Sequence, residues 1–471
     1  MGSALTADEP AWIARAAHFD SSTPIPNHYI IQYKLEVDVD TRRFHELAVH
    51  RSASKFGNYR GLIKKFDFGT FSGYHGELDA AHVQELGQSG LIKSIQQDYQ
   101  VRLASPIRHV HSIHNRNGPH KAHQPPFTNQ THHHPGPSQH PHPQPPPTTS
   151  PSPSPTPAIP ASGPNLVTTT TSAWNLARIS HRRPSHQTSY ITETPTTTVY
   201  IIDSGIQLNH TQFNPHLVHF GANFSPNSNS TTTDDECGHG THVAGIIAGR
   251  TLGVAAHNTT RVIAIKVFSG QHPTSSWSSI ISALQWAVHD TKLRNGRDRS
   301  VINMSLGGNF SPAINDAVTA ATEAGITVVV AAGNQGVDLA TKSPASSEAV
   351  IAVGSIGSED KRSGFSNYGK GLSVFAPGEG VVSSFIGTGT DQTRAMSGTS
   401  MACPHVAGLA AYFIEVYGPH TPGEMKKRIE GFATRGLVED AGEGSPNRIA
   451  FNGNLVEKGD ELLGMVDERL I

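Results

Sequence analysis

Five continuous apolar runs in the second half of the chain restrict its possible folds more than any other feature. They cover residues 199–203, 262–268, 301–305, 327–332 and 350–355. Each has the length of a strand, and strands that are apolar on both faces are typical of parallel sheets, although a buried helix segment can mimic one such run. Helical stretches lie between them, at residues 239–248, 276–290 and 311–324. We therefore predict an α/β domain with a mainly parallel sheet flanked by helices.

A stretch of unusual composition, residues 105–164, divides the chain. It holds 17 of the 32 prolines and 10 of the 28 histidines, and it has no Asp or Glu. Such a segment cannot bury a core, so we predict a disordered or polyproline-like linker. It separates a small domain at 27–104 from a large domain at 165–453. An N-terminal segment, 1–26, and a C-terminal extension, 454–471, complete the chain.

The small domain has its own pattern of elements. Strand signals occur at residues 29–33, 63–71 and 92–101, and helix signals at 41–55 and 80–86. We interpret them as the order β-α-β-β-α-β, which is a ferredoxin-like α+β plan.

Four short blocks in the large domain supply polar residues with complementary chemistry. They are residues 199–205, 239–245, 331–334 and 398–405, and they contribute Asp203, His239, Asn334 and Ser400. Together these side chains provide a nucleophile, a base, a group that orients the base, and an oxyanion donor for acyl transfer. Taken singly, each has an ordinary alternative: a turn or cap residue for the Asp, Asn and Ser, and a hydrogen-bonded core residue for a histidine.

The positions of these residues favour the chemical interpretation. Asp203 and Asn334 follow apolar strands, and the carboxyl ends of parallel strands are where α/β sheets place functional groups. Ser400 begins a predicted helix, whose dipole favours developing negative charge. His239 and His242 both lie on one helix. We assign His239 to the base, because it opens the helix at the sheet edge, and His242 to the core.

The blocks, in this order, resemble the subtilisin-like serine proteases, most closely their proteinase K-like branch from fungi. Segments 173–180, 303–308, 365–369 and 375–378 match as well, so the resemblance covers about 173–453. It implies a serine endopeptidase in which Ser400 is the nucleophile, His239 the general base and acid, Asp203 the orienting carboxylate and Asn334 an oxyanion donor.

The resemblance also implies how substrate is bound. Ser305, Leu306 and Gly307 look like the edge segment that pairs with the substrate as an added strand. Ala331, Ala332 and Gly333 resemble a wall of the primary specificity pocket. Because these residues are small and uncharged, we expect a roomy apolar pocket and cleavage after large apolar or aromatic residues, with broad tolerance elsewhere.

The small domain resembles the inhibitor prodomain of the same family, in segments 29–33, 71–76 and 95–101. This implies that the chain is a zymogen whose own prodomain is an intramolecular inhibitor. By analogy, self-cleavage is expected near Ala104–Ser105.

Other partners are restricted by composition. A net charge of −2 and a pI near 7.0 give no indication of nucleic-acid binding, and no apolar run approaches the roughly 18 residues of a membrane span. We expect a monomer that acts on proteins and peptides, without a required cofactor or metal site. Calcium binding is possible but unsupported, because Ser373 stands where the family often has an Asp. Cys237 and Cys403 are the only cysteines, and we expect two free thiols.

The sequence says less about where the protein is located. Residues 1–26 show no clear signal peptide, since they lack an apolar stretch. By the resemblance we expect a secreted enzyme. The alternatives are a vacuolar processing protease of the same family and an inactive protease-like binding protein, although all four catalytic positions are filled.

Overall fold

The structure is a computed structural model, and it describes residues 23–56, 59–103, 166–170, 173–182, 187–191, 197–226, 234–255, 260–270 and 273–453. The described residues all fall within one compact unit. The predicted linker at 105–164, the extension at 454–471, the first 22 residues and the expected cleavage site at Ala104–Ser105 lie outside the described residues. Among the residues that are described, no helix is both long and apolar enough to cross a bilayer.

The small domain has the predicted β-α-β-β-α-β order. Its elements are β1 (Pro24–Tyr33), α1 (Val39–Phe56), β2 (Gly61–Phe68), β3 (Phe71–Glu77), α2 (Ala80–Gly87) and β4 (Ile92–Arg102). The strands lie in the order β4-β1-β3-β2, and all three pairings are antiparallel. The run predicted at 63–71 corresponds to β2 and the turn at Gly69, whose φ is 53°, and β3, which begins at Phe71, was not predicted as a separate run.

The two faces of the small sheet are buried against different partners. Ile31 and Tyr74 pack with Val83 of α2 in a core of the small domain. Ile30 and Phe66 point the other way and belong to the same core as helices of the large domain. Full burial of one such side chain contributes about 1.5–3 kcal/mol, so the second face is a substantial contact between the domains.

The large domain is built around a nine-stranded sheet. In chain order the strands of this domain are β5 (Leu166–Thr170), β6 (Gln187–Ile191), β7 (Thr197–Asp203), β8 (Val218–Asn223), β9 (Thr260–Lys266), β10 (Thr274–Ser276), β11 (Ser300–Met304), β12 (Gly308–Asn309), β13 (Ile326–Ala331), β14 (Lys342–Ser343), β15 (Ile351–Ile356), β16 (Val374–Pro377), β17 (Val381–Ser384), β18 (Thr393–Met396), β19 (Thr434–Arg435) and β20 (Arg448–Ile449).

The helices of the large domain include the three that were predicted. In chain order they are α3 (Trp174–Ser180), α4 (His239–Ala248), α5 (Trp277–Leu293), α6 (Pro312–Glu323), α7 (Thr399–Tyr417) and α8 (Pro422–Phe432).

The main sheet runs β19-β20-β16-β15-β13-β11-β7-β9-β8. Every neighbouring pair is parallel except β19 and β20, so the predicted mainly parallel sheet is confirmed. Successive residues of β7 alternate between two cores. Tyr200 packs on the side of α5 and α6, and Val199 packs on the side of α4 and α7. Burial on both faces is why the five runs are continuously apolar.

Strand β10 joins the two domains. It pairs antiparallel with β4, with Ser275 opposite Val101, and so adds a fifth strand to the small sheet. Beyond β4, the backbone N–H of Leu103 donates to the carbonyl of Pro273 at 3.2 Å. The last described residues of the small domain are therefore held against the large domain by main-chain hydrogen bonds.

Candidate active site

Asp203 lies at the carboxyl end of β7 and is fully buried. Its Oδ1 accepts hydrogen bonds from the backbone N–H of Ser204 at 2.7 Å and from Nδ1 of His239 at 2.8 Å. A carboxylate on Nδ1 fixes the imidazole so that Nε2 is left to exchange protons. The predicted pairing of Asp203 with His239 is therefore present in the structure.

The turn before α4 positions His239. Gly238 precedes it with φ of 84°, and a Cβ there would lie 2.4 Å from the ring of Phe385. Only glycine fits this backbone and this space. The buried carboxylate of Asp235 accepts from the backbone N–H of Gly238 at 2.8 Å and of Thr241 at 2.9 Å. Sequence reasoning missed Asp235, which holds the loop that carries the base.

The electrostatic surroundings of His239 favour its charged form. Burial acts to lower the pKa of the imidazole, but the charge and hydrogen bond of Asp203, helped by the charge of Asp235, outweigh it. The pKa of His239 is therefore raised above its ordinary value of 6.5. A raised pKa makes the imidazole a stronger proton acceptor.

His242 has the structural role that the sequence suggested. Its Nε2 lies 2.9 Å from the carbonyl of Arg394 and 3.1 Å from that of Val381. Burial lowers the pKa of His242 to about 3, so the ring stays neutral and ties α4 to the β17–β18 hairpin.

Ser400 lies in the first turn of α7, and its side chain is joined to the segment after β11. Its Oγ donates to the backbone carbonyl of Ser305 at 3.1 Å, and Ser305 Oγ donates to the carbonyl of Ser400 at 2.9 Å. The helix begins at Thr399, with Gly398 as its N-cap. Ser400 is thus at the positive end of a 19-residue helix dipole, as predicted.

Asn334 is held next to Ser400 through Thr399. Its Oδ1 accepts from the backbone N–H of Thr399 at 2.8 Å and from the Thr399 hydroxyl at 2.7 Å. A backbone N–H can only donate, so this contact identifies the oxygen of the amide and fixes the direction of the Nδ2 group. Asn334 therefore presents its N–H₂ group, and not its carbonyl, away from Thr399.

A small pocket adjoins Ser400. Its walls include all six residues predicted to bind substrate, which are Ser305, Leu306, Gly307, Ala331, Ala332 and Gly333. The cavity is about 30 Å³ in this structure, and the expectation of a roomy pocket stays a prediction. Lys342, which sequence reasoning missed, also lines it and is 7 % exposed. This side chain reaches the pocket because β14 pairs with β12, a contact that no local pattern reveals.

Both cysteines are free thiols, as predicted. Cys237 is partly buried two residues before His239, and burial, with the charge of Asp235, raises its pKa to about 12. Cys403 is fully buried and lies 3.2 Å from Oδ1 of Asn303. Neither thiol is poised as a thiolate nucleophile, which leaves Ser400 as the nucleophile candidate.

Comparison with known proteins agrees with this geometry. The Subtilase family model, Peptidase S8, matches residues 194–452, a span that holds Asp203, His239, Asn334 and Ser400. The chain belongs to the subtilase family. Similarity to proteins named alkaline proteinase and alkaline protease extends beyond that span. This subtilase is therefore a subtilisin-like serine endopeptidase.

Two relatives and one solved structure show how far the similarity reaches. The alkaline proteinase of Hapsidospora chrysogena is 45 % identical over 291 residues, which are 61 % of this chain and 69 % of the relative. Alkaline protease 1 of Aspergillus clavatus is 33 % identical over 452 residues, covering 93 % of this subtilase and 94 % of the relative. A crystal structure of a cold adapted subtilisin-like serine proteinase matches with a TM-score of 0.54 at 34 % identity, over 59 % of this chain and 97 % of that one.

Proposed function

We propose that the chain is a zymogen of a serine endopeptidase that cleaves peptide bonds through an acyl-enzyme. Ser400 Oγ attacks the scissile carbonyl, His239 takes its proton and later passes it to the leaving amine, and Asp203 orients the imidazole. The observation that carries this proposal is the 2.8 Å contact between His239 Nδ1 and a buried Asp203 Oδ1. A carboxylate in that position also stabilises the imidazolium that forms during the reaction.

The oxyanion would be stabilised from two sides. Asn334 Nδ2 is the side-chain donor, and the backbone N–H of Ser400 is the second donor, at the N-terminus of α7. The contacts of Asn334 Oδ1 with Thr399 support this role, because they hold the amide before the reaction begins. Neither step needs a cofactor, and calcium has no part in the proposal, since Ser373 offers a buried hydroxyl in place of a carboxylate.

Substrate would bind along residues 305–307 as an added strand, with one side chain entering the pocket beside Ser400. Leu306, Ala331 and Ala332 supply apolar walls, which supports cleavage after large apolar or aromatic residues with broad tolerance elsewhere.

A peptide library tests this specificity. We expect leucine and phenylalanine to be enriched before the cleaved bond. Mass spectrometry of the product termini identifies the residues at that position. A profile in which lysine and arginine dominate that position would contradict the apolar assignment.

The small domain is proposed to be the inhibitor that keeps the site closed. Two of its side chains cap helices of the large domain. Asp98 accepts from the backbone N–H and the hydroxyl of Ser278 near the start of α5, at 3.3 and 2.6 Å. Gln96 accepts from the backbone N–H of Ala313 at the start of α6, at 3.3 Å. Helix N-termini leave N–H groups unsatisfied, so these contacts support a specific inhibitor complex.

Activity should depend on pH through His239. The base accepts the Ser400 proton only when it is neutral, and its pKa is raised above 6.5. Activity is therefore present above the His239 pKa and lost as the pH falls through it. We expect the acid limb of log(kcat/KM) against pH to have its midpoint above 6.5 and a slope of about one, because a single group titrates. A midpoint well below 6.5 would contradict the assigned base.

The proposal extends to the location, oligomeric state and substrates of the enzyme. We propose a secreted monomer that acts on protein and peptide substrates, and a vacuolar processing protease is the alternative location for the same chemistry. Fusing the authentic N-terminus to a reporter protein and following its export distinguishes the two.

A further inference from the structure

A surface pocket lies at the far end of the helix that carries Ser400. It is formed between the end of α7 at Tyr417 and helix α8, about 25 Å from Ser400 along the helix axis, and its volume is about 250 Å³. The rings of Tyr417 and Phe432 stack with their centroids 6.1 Å apart and form its aromatic wall. Tyr417 is 43 % exposed, so apolar ring surface faces water. Exposed aromatic surface beside a cavity is typical of an interaction site.

Arg428 brings a positive charge to this α7–α8 pocket. Its Cζ lies 4.3 Å from the centroid of the Tyr417 ring, and its Nε donates to Nε2 of His420 at 2.8 Å. Nδ1 of His420 donates to the carbonyl of Gly418 at 2.7 Å, and burial lowers the pKa of His420, so this imidazole is neutral. No carboxylate of the described residues lies within 4 Å of the Arg428 guanidinium, which therefore has capacity for an acidic partner.

Glu424 is the one carboxylate among the described residues that line the pocket, and it is already engaged. Its Oε2 accepts from the backbone N–H of Thr421 at 2.9 Å and from the Thr421 hydroxyl at 2.7 Å. Lys427 also lines the pocket and is exposed. The pocket thus offers two cations beside apolar ring surface, a combination that suits a peptide segment with both carboxylates and apolar side chains.

The described part of the chain ends at the edge of this pocket. Residues 450–452 are buried, so the chain is anchored up to this point. The next residue, Gly453, lies against the aromatic wall: a Cβ placed there would be 3.5 Å from three carbons of the Phe432 ring. Arg428 Cζ is 5.8 Å from the centroid of the same ring. An extended residue spans about 3.3–3.6 Å, so three or four residues after Gly453 are enough to reach the guanidinium.

Residues 454–471, which follow Gly453, have a composition that matches the pocket. The apolar residues Leu455 and Val456 come almost at once. The segment has two basic side chains and five acidic ones, and the acidic residues are Glu457, Asp460, Glu461, Asp467 and Glu468. Its charge is therefore opposite to the charge of Lys427 and Arg428.

We propose that the α7–α8 pocket is the docking site of this chain's own residues 454–471. An apolar side chain of the segment covers the rings of Tyr417 and Phe432, and a carboxylate pairs with Arg428. The docked segment secures the C-terminal end of the helix that carries Ser400. This inference does not depend on the proposed endopeptidase function.

The attachment of the segment at the edge of the pocket makes even a weak contact effective. A short tether gives an effective concentration in the millimolar range. If the isolated segment bound with a Kd of about 0.1 mM, an effective concentration of about 1 mM would keep the pocket occupied for roughly nine-tenths of the time. Docking of this strength slows local opening of the pocket by a factor of about ten.

A carbodiimide cross-link in the full chain tests the docking. The reagent joins a lysine amine to a carboxylate in contact with it, with loss of water and without a spacer. The experiment uses the Ser400→Ala chain, whose mass confirms that residues 454–471 are present. We expect an amide between Lys427 and one of the three nearest carboxylates of the segment, which are Glu457, Asp460 and Glu461.

Two controls accompany the cross-link. Lys361 Nζ lies 2.7 Å from Oε1 of Glu439, so a cross-link of this pair shows that the reagent has worked. A mixture of chains with and without ¹⁵N labelling shows whether the bond forms within one chain. We expect every Lys427 cross-link to join peptides of the same isotope.

Hydrogen exchange measures what docking does to the pocket. In the full chain the amides of residues 418–432 should exchange about ten times more slowly than in a chain that ends at Gly453. Residues 277–293 of α5 do not line the pocket and should exchange equally in both chains. Their unchanged protection also shows that the shortened chain is folded.

A matched pair of variants isolates the charge. Arg428→Gln in the full chain should remove most of the added protection of residues 418–432 and most of the Lys427 cross-link. Arg294→Gln is the control, because its guanidinium pairs with Asp290 on α5, and it should leave both measurements unchanged.

Four results would each overturn the proposal. The first is no Lys427 cross-link in a sample where Lys361 and Glu439 are joined. The second is equal exchange of residues 418–432 in the full and the shortened chain. The third is a cross-link that combines the two isotopes, which would make a second copy of the chain the occupant. The fourth is an Arg428→Gln chain that keeps the full protection.

Discussion

Replacing Ser400 with alanine is expected to lower kcat for peptide hydrolysis by a factor of about 10³ to 10⁶. The variant keeps the proposed oxyanion donors and the binding segment but loses the oxygen that forms the acyl-enzyme. The wild type and the variant are both processed by an added protease that is then removed, and hydrolysis of a quenched fluorescent peptide measures the loss. Ser282→Ala is a suitable control, since its hydroxyl donates to the Ser278 carbonyl within α5. A Ser400→Ala enzyme that retains a tenth of wild-type activity would rule out this nucleophile.

The same substitution also tests the zymogen. If the chain cleaves itself near Ala104–Ser105, the pure Ser400→Ala protein should stay at full length under conditions where the wild type is shortened. Addition of a trace of active wild-type enzyme should show whether cleavage between molecules also occurs. Shortening of the variant without any added protease would mean that another enzyme makes the cut.

Asp203→Asn is expected to lower kcat/KM by a factor of about 10⁴. The asparagine keeps nearly the same shape, but it cannot hold His239 in the tautomer that leaves Nε2 free to accept the Ser400 proton. The loss of charge has a second signature. Because the charge of Asp203 raises the pKa of His239, the acid limb of the residual activity should move to lower pH.

A matched control for this change is Asp338→Asn. Asp338 is the exposed N-cap of a short helical turn, where its Oδ1 accepts from the backbone N–H of Ala340 at 2.8 Å. Asparagine serves almost equally well at such a cap, so activity and its pH profile should be unchanged. An Asp203→Asn variant with the wild-type acid limb would show that His239 is not coupled to this carboxylate.

Five of the nine strands of the main sheet were predictable, because burial on both faces gives each of them a continuous apolar run. Residues 199–203 and 327–332 became β7 and β13, and Asp203 and Asn334 follow from where those strands end. The pairing of His239 with Asp203 was also predictable, because the blocks that hold them occur in an order that resembles the subtilisin-like serine proteases. Local signals of this kind need no knowledge of distant contacts.

Residues that act through distant contacts could not be predicted in the same way. Lys342 reaches the pocket only because β14 pairs with β12, more than 30 residues away. Asp98 and Gln96 cap α5 and α6 across about 180 and 215 residues. Strand β3 was missed as a separate strand because only Gly69 and Thr70 separate it from β2. For Lys342, Asp98 and Gln96 the missing information was the residue or strand that each contacts.

The central claim is that Ser400 is a nucleophile activated by His239 and Asp203. Reaction of the processed protein with a fluorophosphonate, followed by digestion and mass spectrometry, tests it most directly. We predict a single adduct on the peptide that contains Ser400, with a labelling rate that falls as His239 is protonated. An active enzyme that carries no adduct, or carries it on another residue, would contradict the account.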